Sequence, residues 1–394
     1  MSDKPTLLYA SPFPPMKSGI SDYSVELVRA LSGQFEITLY TDDYDINDDS
    51  VSEYPAVKNS VDNVDFDSYD YIIYNIGNNL EFHSYIYEAA IKHPGMIILH
   101  DLMIYYLFVG LYTQKKEIYS KVYSSLGMED YLKIKHAVKS NGRSLREQKQ
   151  LSSEISFNKE LLSSGNKIMV HSEYSKNKIL ETGLIAENKV RKIEMVNFAN
   201  NENYSLIDKD SLFEKFNIPK DAIVVASLGF IVWTKMNKEV CRAVKEIASY
   251  SDKKICYVMV GDGNYADDEL KPDVVIKTGY TNIDEFNSFI NYSDIIVSLR
   301  GTTMGETSGA IVRILQSGKC CITNNIGWFA ELPDDCVVKI DLSDVEGNLK
   351  SAISDLIENP EKKKTFEKNA KEYIERDYAP DLVAEKIKDF LIEG

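Results

Sequence analysis

Short apolar runs rich in β-branched and aromatic residues alternate with stretches whose apolar positions recur at helical spacing, along the whole chain. That alternation predicts βαβ units and parallel sheets, because strands covered by helices on both faces read as continuous apolar runs. In the first half the predicted strands are TLLYA (6–10), FEITLYT (35–41), YDYIIYNIG (69–77), GMIILHD (95–101), NKIMVHS (166–172) and VRKIEMV (190–196). SDYSVELVRAL (21–31) carries apolar residues at helical spacing after the first strand. A second series follows: IVVASLGF (223–230), KICYVMVG (254–261), VVIKTG (274–279), DIIVSLR (294–300), CCITN (320–324) and CVVKI (336–340). Residues 344–393 read as helix throughout, with Pro360 and Pro380 at helix starts.

Two segments break the rhythm. NFANNENYSLIDKD (197–210) is polar and reads as a linker, which divides the chain into two doubly wound α/β domains. Where two such domains face each other, ligands are expected in the crevice beyond the carboxyl ends of the strands. Residues 102–164 show no strand pattern. Their KKEIYSKVYSSLGMEDYLKIKHAVK stretch reads either as a solvated helical pair or as an amphipathic surface touching an acceptor or a membrane.

Composition narrows the classes. The 394 residues carry a net charge of −16, which argues against a nucleic-acid groove. Five cysteines without CxxC spacing read as buried free thiols in a reducing compartment. No apolar run approaches the ~20 residues of a spanning helix, so a cytoplasmic protein is expected, with peripheral membrane attachment left open. The acidic run TDDYDINDD (41–49) reads as an exposed loop rather than a metal site.

Three loops have phosphate-binding chemistry. In SPFPPMKSGISDYS (11–24), Ser18, Gly19 and Ile20 precede a helix whose unpaired amides and dipole favour an anion; a plain capped turn is the alternative. There is no GxGxxG fingerprint, which disfavours a dinucleotide oxidoreductase. In RGTTMGETSGAIVRILQSG, Thr307, Ser308 and Gly309 open a helix with small residues, Glu306 can accept bonds from hydroxyls, and Arg300 offers a fork of donors. In SLGFIVWTK, Lys235 stands six residues after Gly229 and can reach back over the strand end.

Taken in order, PPMKSGISDYS, ILHD, VHSEYSKNKI, GF…K, VGDG and LRGTTMGETSGAIVRILQSGK…GWFAELP resemble the GT-B-fold glycosyltransferases of family 4, bacterial surface-glycan members above all. The resemblance covers nearly the whole chain. It implies two Rossmann-like domains facing a central cleft, one of residues 1–200 and one of residues 201–378. The last helix (379–394) would cross back to the first. It implies a retaining, metal-independent transfer from a UDP-, GDP- or dTDP-linked sugar to a glycan, lipid-linked or protein hydroxyl, with no cofactor. Lys235 matches the lysine that holds the donor diphosphate, and Phe230 stands where the family usually has arginine. Glu306, Thr307, Ser308 and Gly309 match the loop that holds sugar and phosphates. Gly19 matches the opposing loop, His100 a histidine near the reacting sugar, and Gly279 and Tyr280 the base contact. Arg300 or Arg313 is expected to substitute for the arginine missing at Phe230. The family's second glutamate is also missing, its place falling at Ile314 or Arg313, and Arg313 is expected to bind phosphate or an acidic donor group there instead. A nucleotide-sugar epimerase and a noncatalytic partner of an active transferase are the alternatives.

Overall fold

The computed structural model describes residues 4–60, 64–198 and 205–393. It divides into two compact units. The first comprises Met1–Val196, Met304–Thr307 and Pro380–Gly394; the second comprises Asn197–Thr303 and Ser308–Ala379. The four residues Met304–Thr307, placed in the second domain by the sequence reading, count with the first unit. Part of the predicted linker, residues 199–204, lies outside the described residues.

The first unit runs β1 (Thr6–Ala10), α1 (Gly19–Leu31), β2 (Glu36–Thr41), β3 (Ala56–Lys58), β4 (Tyr71–Ile76), α2 (Leu80–Ala90) and β5 (Met96–Leu99). It continues with α3 (Tyr105–Gln114), α4 (Ile118–Leu126), α5 (Met128–Asn141), α6 (Lys149–Glu154), α7 (Lys159–Leu162), β6 (Lys167–Val170), α8 (Glu173–Glu181) and β7 (Val190–Lys192). Its seven-stranded sheet has the order β3-β2-β1-β4-β5-β6-β7, every pairing parallel. The short edge strand β3 was not foreseen: at three residues it has no apolar run to read.

The second unit runs α9 (Lys209–Lys215), β8 (Ile223–Leu228), α10 (Asn237–Tyr250), β9 (Ile255–Val260), β10 (Val275–Lys277), α11 (Ile283–Tyr292), β11 (Ile295–Val297) and α12 (Gly309–Gln316). Then come β12 (Cys321–Asn324), β13 (Val338–Ile340), α13 (Val345–Glu358) and α14 (Pro360–Asp377). Its parallel sheet has the order β10-β9-β8-β11-β12-β13. In both units the chain reverses its direction of winding beside the first strand, between β1 and β4 and between β8 and β11. At such a switch point the loops leaving the carboxyl ends of neighbouring strands run to opposite faces, which is where open α/β sheets generally bind ligands. The three loops singled out in the sequence follow β1, β8 and β11.

Apolar burial explains why these elements hold. β9 is buried along its whole length, and Leu7, Leu8, Tyr9 and Ala10 of β1 are fully enclosed. All five cysteines are buried free thiols, as their apolar neighbours predicted. The last helix, α15 (Pro380–Ile392), belongs to the first unit, where it packs against α1 and buries Val383, Ile387 and Phe390. Lys167 supports its end by donating to the Phe390 carbonyl at 2.7 Å. Ile387→Ala is therefore expected to destabilise the first unit by about 2–4 kcal/mol, the cost of a buried cavity, read as a lowered first transition in a circular-dichroism melt.

Candidate functional site

In the second unit, β8 ends at Leu228 and the chain turns at Gly229 with φ +89°. Lys235 closes a short 3-10 turn, Trp233–Lys235, and its side chain folds back so that Nζ donates to the Leu228 carbonyl at 3.0 Å. The ammonium lies over Gly229 so closely that a Cβ there would stand 2.7 Å from Nζ. Glycine is required twice at this position, for its backbone angle and for the lysine above it. The VGDG loop after β9 explains itself in the same way. A Cβ on Gly261 would overlap the Gly229 carbonyl oxygen, and one on Gly263 would overlap the Ile231 carbonyl oxygen. The two loops are stitched by Gly229 N–H to Val260 O (2.8 Å) and Ile231 N–H to Asp262 O (2.7 Å). Across the switch point, Gly301 N–H donates to Thr234 O at 2.8 Å and so ties the loop after β11 to the residue before Lys235.

Other predicted residues of this unit fall into two groups. Ser308 caps α12, its hydroxyl accepting from Ile311 N, and Gly309 is the first helical residue. Gly279 turns with φ +73° after β10 and bridges Gly261, which brings the KTGY segment beside the VGDG loop. Tyr280 and Phe230 are 63% and 70% exposed, so both rings are presented to solvent at this end of the sheet. The two arginines are buried. Arg300 is buried, donates to the Leu299 carbonyl at 3.0 Å and lies 4.9 Å over the Phe329 ring. Arg313 is buried with its guanidinium 3.6 Å from the Phe198 ring centroid. Each is held against an aromatic face. GWFAELP is also enclosed: Gly327 takes φ +51° against Thr303, while Trp328 and Phe329 are buried.

In the first unit, Gly19 opens α1 behind the cap Ser18, whose hydroxyl accepts from Ile20 N at 3.3 Å. A Cβ on Gly19 would meet nothing within 4 Å. Ile20 in turn needs Gly77: a Cβ there would collide with Ile20 and approach His83 and Asp101. His100 is buried at the end of β5. Its Nε2–H donates to Asn75 Oδ1 at 3.0 Å, an assignment set by Asn75 Nδ2 donating to the Ala10 carbonyl. The His100, His171 and Tyr23 rings lie 4.9–5.4 Å apart, edge-on or tilted. Burial holds His100 well below the usual histidine range, with His171 and His83 adding to the effect. Burial likewise lowers His83 and His171 to about 4. His100 is thus held as a neutral ring bonded to Asn75.

Glu306 and Thr307 belong to this unit. Met304 N–H donates to Glu306 Oε2 at 2.7 Å, and Met103 N–H donates to the Met304 carbonyl at 2.9 Å. Ser175 Oγ donates to the Gly305 carbonyl at 2.8 Å, and a Cβ on Gly305 would overlap Leu102. The residue that sequence reasoning passed over is Asp101. Its Oδ2 accepts from Asn78 N–H at 2.8 Å, and desolvation followed by repulsion from Glu306 pushes its carboxyl up to about 7. Asn78 was missed as well: its Oδ1 accepts from Tyr106 N (2.7 Å) and Leu107 N (3.2 Å), capping α3 where Ile104 cannot. The signal was present in the second half of ILHD and in NIGNN, where polar residues follow buried strands.

The Asp101 shift has a definite pH consequence. The unfolded carboxyl titrates near about 3.9, so between pH 4 and 7 the folded state holds the extra proton and this group's contribution falls as pH rises. The buried histidines act in the opposite sense over about pH 4–6.5, so a difference between variants is needed to isolate Asp101. Asp101→Asn keeps the acceptor for Asn78 and is expected to raise Tm at pH 8 by about 2 °C, with the gain vanishing near pH 4. Gly261→Ala is expected to cost about 2 kcal/mol or more, read by urea unfolding of the second unit.

Among known proteins, no curated protein matches the chain. Solved structures with the same fold include Anabaena HepE in complex with UDP-glucose, at TM-score 0.63 and 12% identity over 98% of this chain and 99% of that one. Sucrose-phosphate synthase from Thermosynechococcus elongatus superposes at TM-score 0.62 and 13% identity, covering 98% of each. A putative UDP-N-acetylglucosamine 2-epimerase from Listeria monocytogenes does so at TM-score 0.55 and 12% identity, covering 98% and 95%. The two Rossmann-like units are thus those of the GT-B fold. Residues 208–373, the greater part of the second unit, match the family model described as glycosyl transferases group 1.

Proposed function

We propose that the chain is a glycosyltransferase that moves a sugar, with retention and without a metal, from a nucleotide-diphosphate sugar to a hydroxyl acceptor in glycan biosynthesis. The observation that carries this reading is the Lys235 ammonium seated over Gly229 at the switch point of the second unit, within the segment that matches the glycosyltransferase family model. A donor diphosphate is a leaving group whose negative charge grows as the C1–O bond breaks. Preorganised donors aimed at that charge are the largest catalytic contribution available. Lys235 and the amides that open α12 behind Ser308 supply such donors. In the transfer, the acceptor oxygen bonds to C1 on the face the diphosphate leaves, and the acceptor proton passes to the departing phosphate oxygen.

Neutral His100, held by Asn75, has a hydrogen-bonding role toward a sugar in this reading, and Glu306 accepts from sugar hydroxyls. Gly279 and exposed Tyr280 are assigned to the nucleotide base. HepE was solved with UDP-glucose, UDP, and UDP with glucose; by that likeness a UDP-sugar is the first donor to try, with GDP- and dTDP-sugars next. A glycan, lipid-linked or protein hydroxyl is the acceptor class, and the inner face of the cell membrane the setting. The epimerase reading keeps one support, the shared fold of the Listeria protein; incubating with donor alone and searching for an epimer separates the two.

A thermal-shift panel of nucleotide sugars is expected to raise Tm with one donor, by mass action on the folded state. Lys235→Ala is expected to abolish that shift and to lower turnover by about 100-fold or more. Glu306→Ala is expected to lower turnover similarly while keeping a normal melt. Full activity in chelator is expected; an enzyme silenced by chelator and restored by Mg²⁺ would refute the metal-free mechanism. If no nucleotide sugar binds, the reading fails.

A further inference from the structure

Residues 115–149 carry nine Lys and Arg against four Asp and Glu, a balance of +5 in a chain whose total is −16. Within this segment α4 and α5 form a helical hairpin joined at Gly127, and each helix fully buries a single residue, Val122 and Ile134. Four large apolar side chains are left in solvent: Tyr119 (42% exposed), Tyr123 (48%), Met128 (55%) and Leu132 (55%). They are not scattered. On α5, Met128, Leu132, Lys135 and Lys139 share one stripe by helical periodicity. The acids Glu129 and Asp130 fall on another side, where Lys133 pairs with both at 2.8 and 3.2 Å. Tyr131 links the two helices, its ring 6.4 Å from Tyr119 and 5.8 Å from Tyr123. The Lys135 ammonium sits 5.8 Å from the Tyr119 centroid and 5.3 Å from that of Tyr131. Lys116, Lys139, Arg146 and Lys149 are exposed and make no ion pair among the described residues.

We propose that this hairpin docks the chain on an anionic lipid bilayer, with Tyr119, Tyr123, Met128 and Leu132 entering the headgroup region and Lys135 and Lys139 meeting the lipid charge. Charge selects the occupant. A protein of net −16 is repelled from an anionic surface, so only an element of inverted sign can lead the approach within a Debye length of about 8 Å. Apolar exposure then chooses among anionic partners. A soluble polyanion would be satisfied by the lysines alone and gives no reason to leave methionine, leucine and two tyrosines in water. Cations interleaved with aromatic and aliphatic side chains on one helical stripe suit a water–lipid boundary. Among the described residues no helix is long and apolar enough to cross a membrane, so the contact is one of lying on the surface. The inference rests on this surface alone and not on the donor reading.

The test is flotation of the full chain with vesicles of phosphatidylcholine alone and of phosphatidylcholine with about 30% phosphatidylglycerol. The wild type is expected to float with the anionic vesicles only, and less well as salt rises. The double variants Lys135→Glu/Lys139→Glu and Met128→Ser/Leu132→Ser are each expected to weaken binding about tenfold or more. Both should keep the wild-type melt and any nucleotide-sugar thermal shift, so failure here is distinguishable from failure of the donor assignment. The proposal is overturned if the wild type does not float, if both variants bind as well as the wild type, or if only the charge variant matters and soluble polyglutamate competes fully with the vesicles.

Discussion

The second unit is organised around one close approach, the Lys235 ammonium lying on the backbone of Gly229. A side chain at 229 would displace the lysine, and side chains at 261 or 263 would displace the loop carrying Gly229 and Ile231. Three glycines thus set the height at which a positive charge stands over the end of β8. Gly301 ties the loop after β11 to the same place through Thr234. The parallel sheet contributes the rest: because β8 and β11 send their loops to opposite sides, the site needs no cavity carved into the core. Burial of the strands below makes the arrangement rigid, and rigidity is what preorganised electrostatics requires.

The first unit works by the opposite principle. His83, His100 and His171 lie in or beside the strand ends, buried and held in the neutral form. Asn75 orders two of them, accepting from His83 through its carbonyl and from His100 through its side chain. Neutral rings and amides fix their partners by hydrogen-bond direction rather than by charge. The carboxylates follow the same logic, since Asp101 and Glu306 repel each other and Asp101 relieves part of that by keeping a proton.

How much of this was legible differs by scale. Twelve strands were readable because each is an apolar run bounded by turn residues, and the thirteenth, β3, was missed because three half-exposed residues carry no pattern. Gly229 and Lys235 were readable as a pair because their spacing is local. The surroundings of Arg300 and Arg313 were not legible, because an arginine at a strand end looks the same whether it faces a ligand or a ring. Phe329 lies 29 residues beyond Arg300, and Phe198 lies 115 residues before Arg313, separations that no local rule spans. Asp101 was passed over for a related reason: its environment is made by Asn78 and by Glu306, both distant in the chain.

The fate of those arginines changes the electrostatics of the proposed reaction. The resemblance led to an expectation of two or three positive side chains around the diphosphate. Phe230 stands in place of one, and Arg300 and Arg313 lie over Phe329 and Phe198, so the proposal assigns the leaving group's charge first to Lys235. Backbone amides must then carry more of the load, and they can, because an amide fixed by a helix start needs no reorganisation as charge develops. In the proposed reaction the small residues Thr307, Ser308 and Gly309 suit that task, since larger side chains there would hold an anion farther from the amides. The exposed Phe230 ring stands where the resemblance implied a second cation.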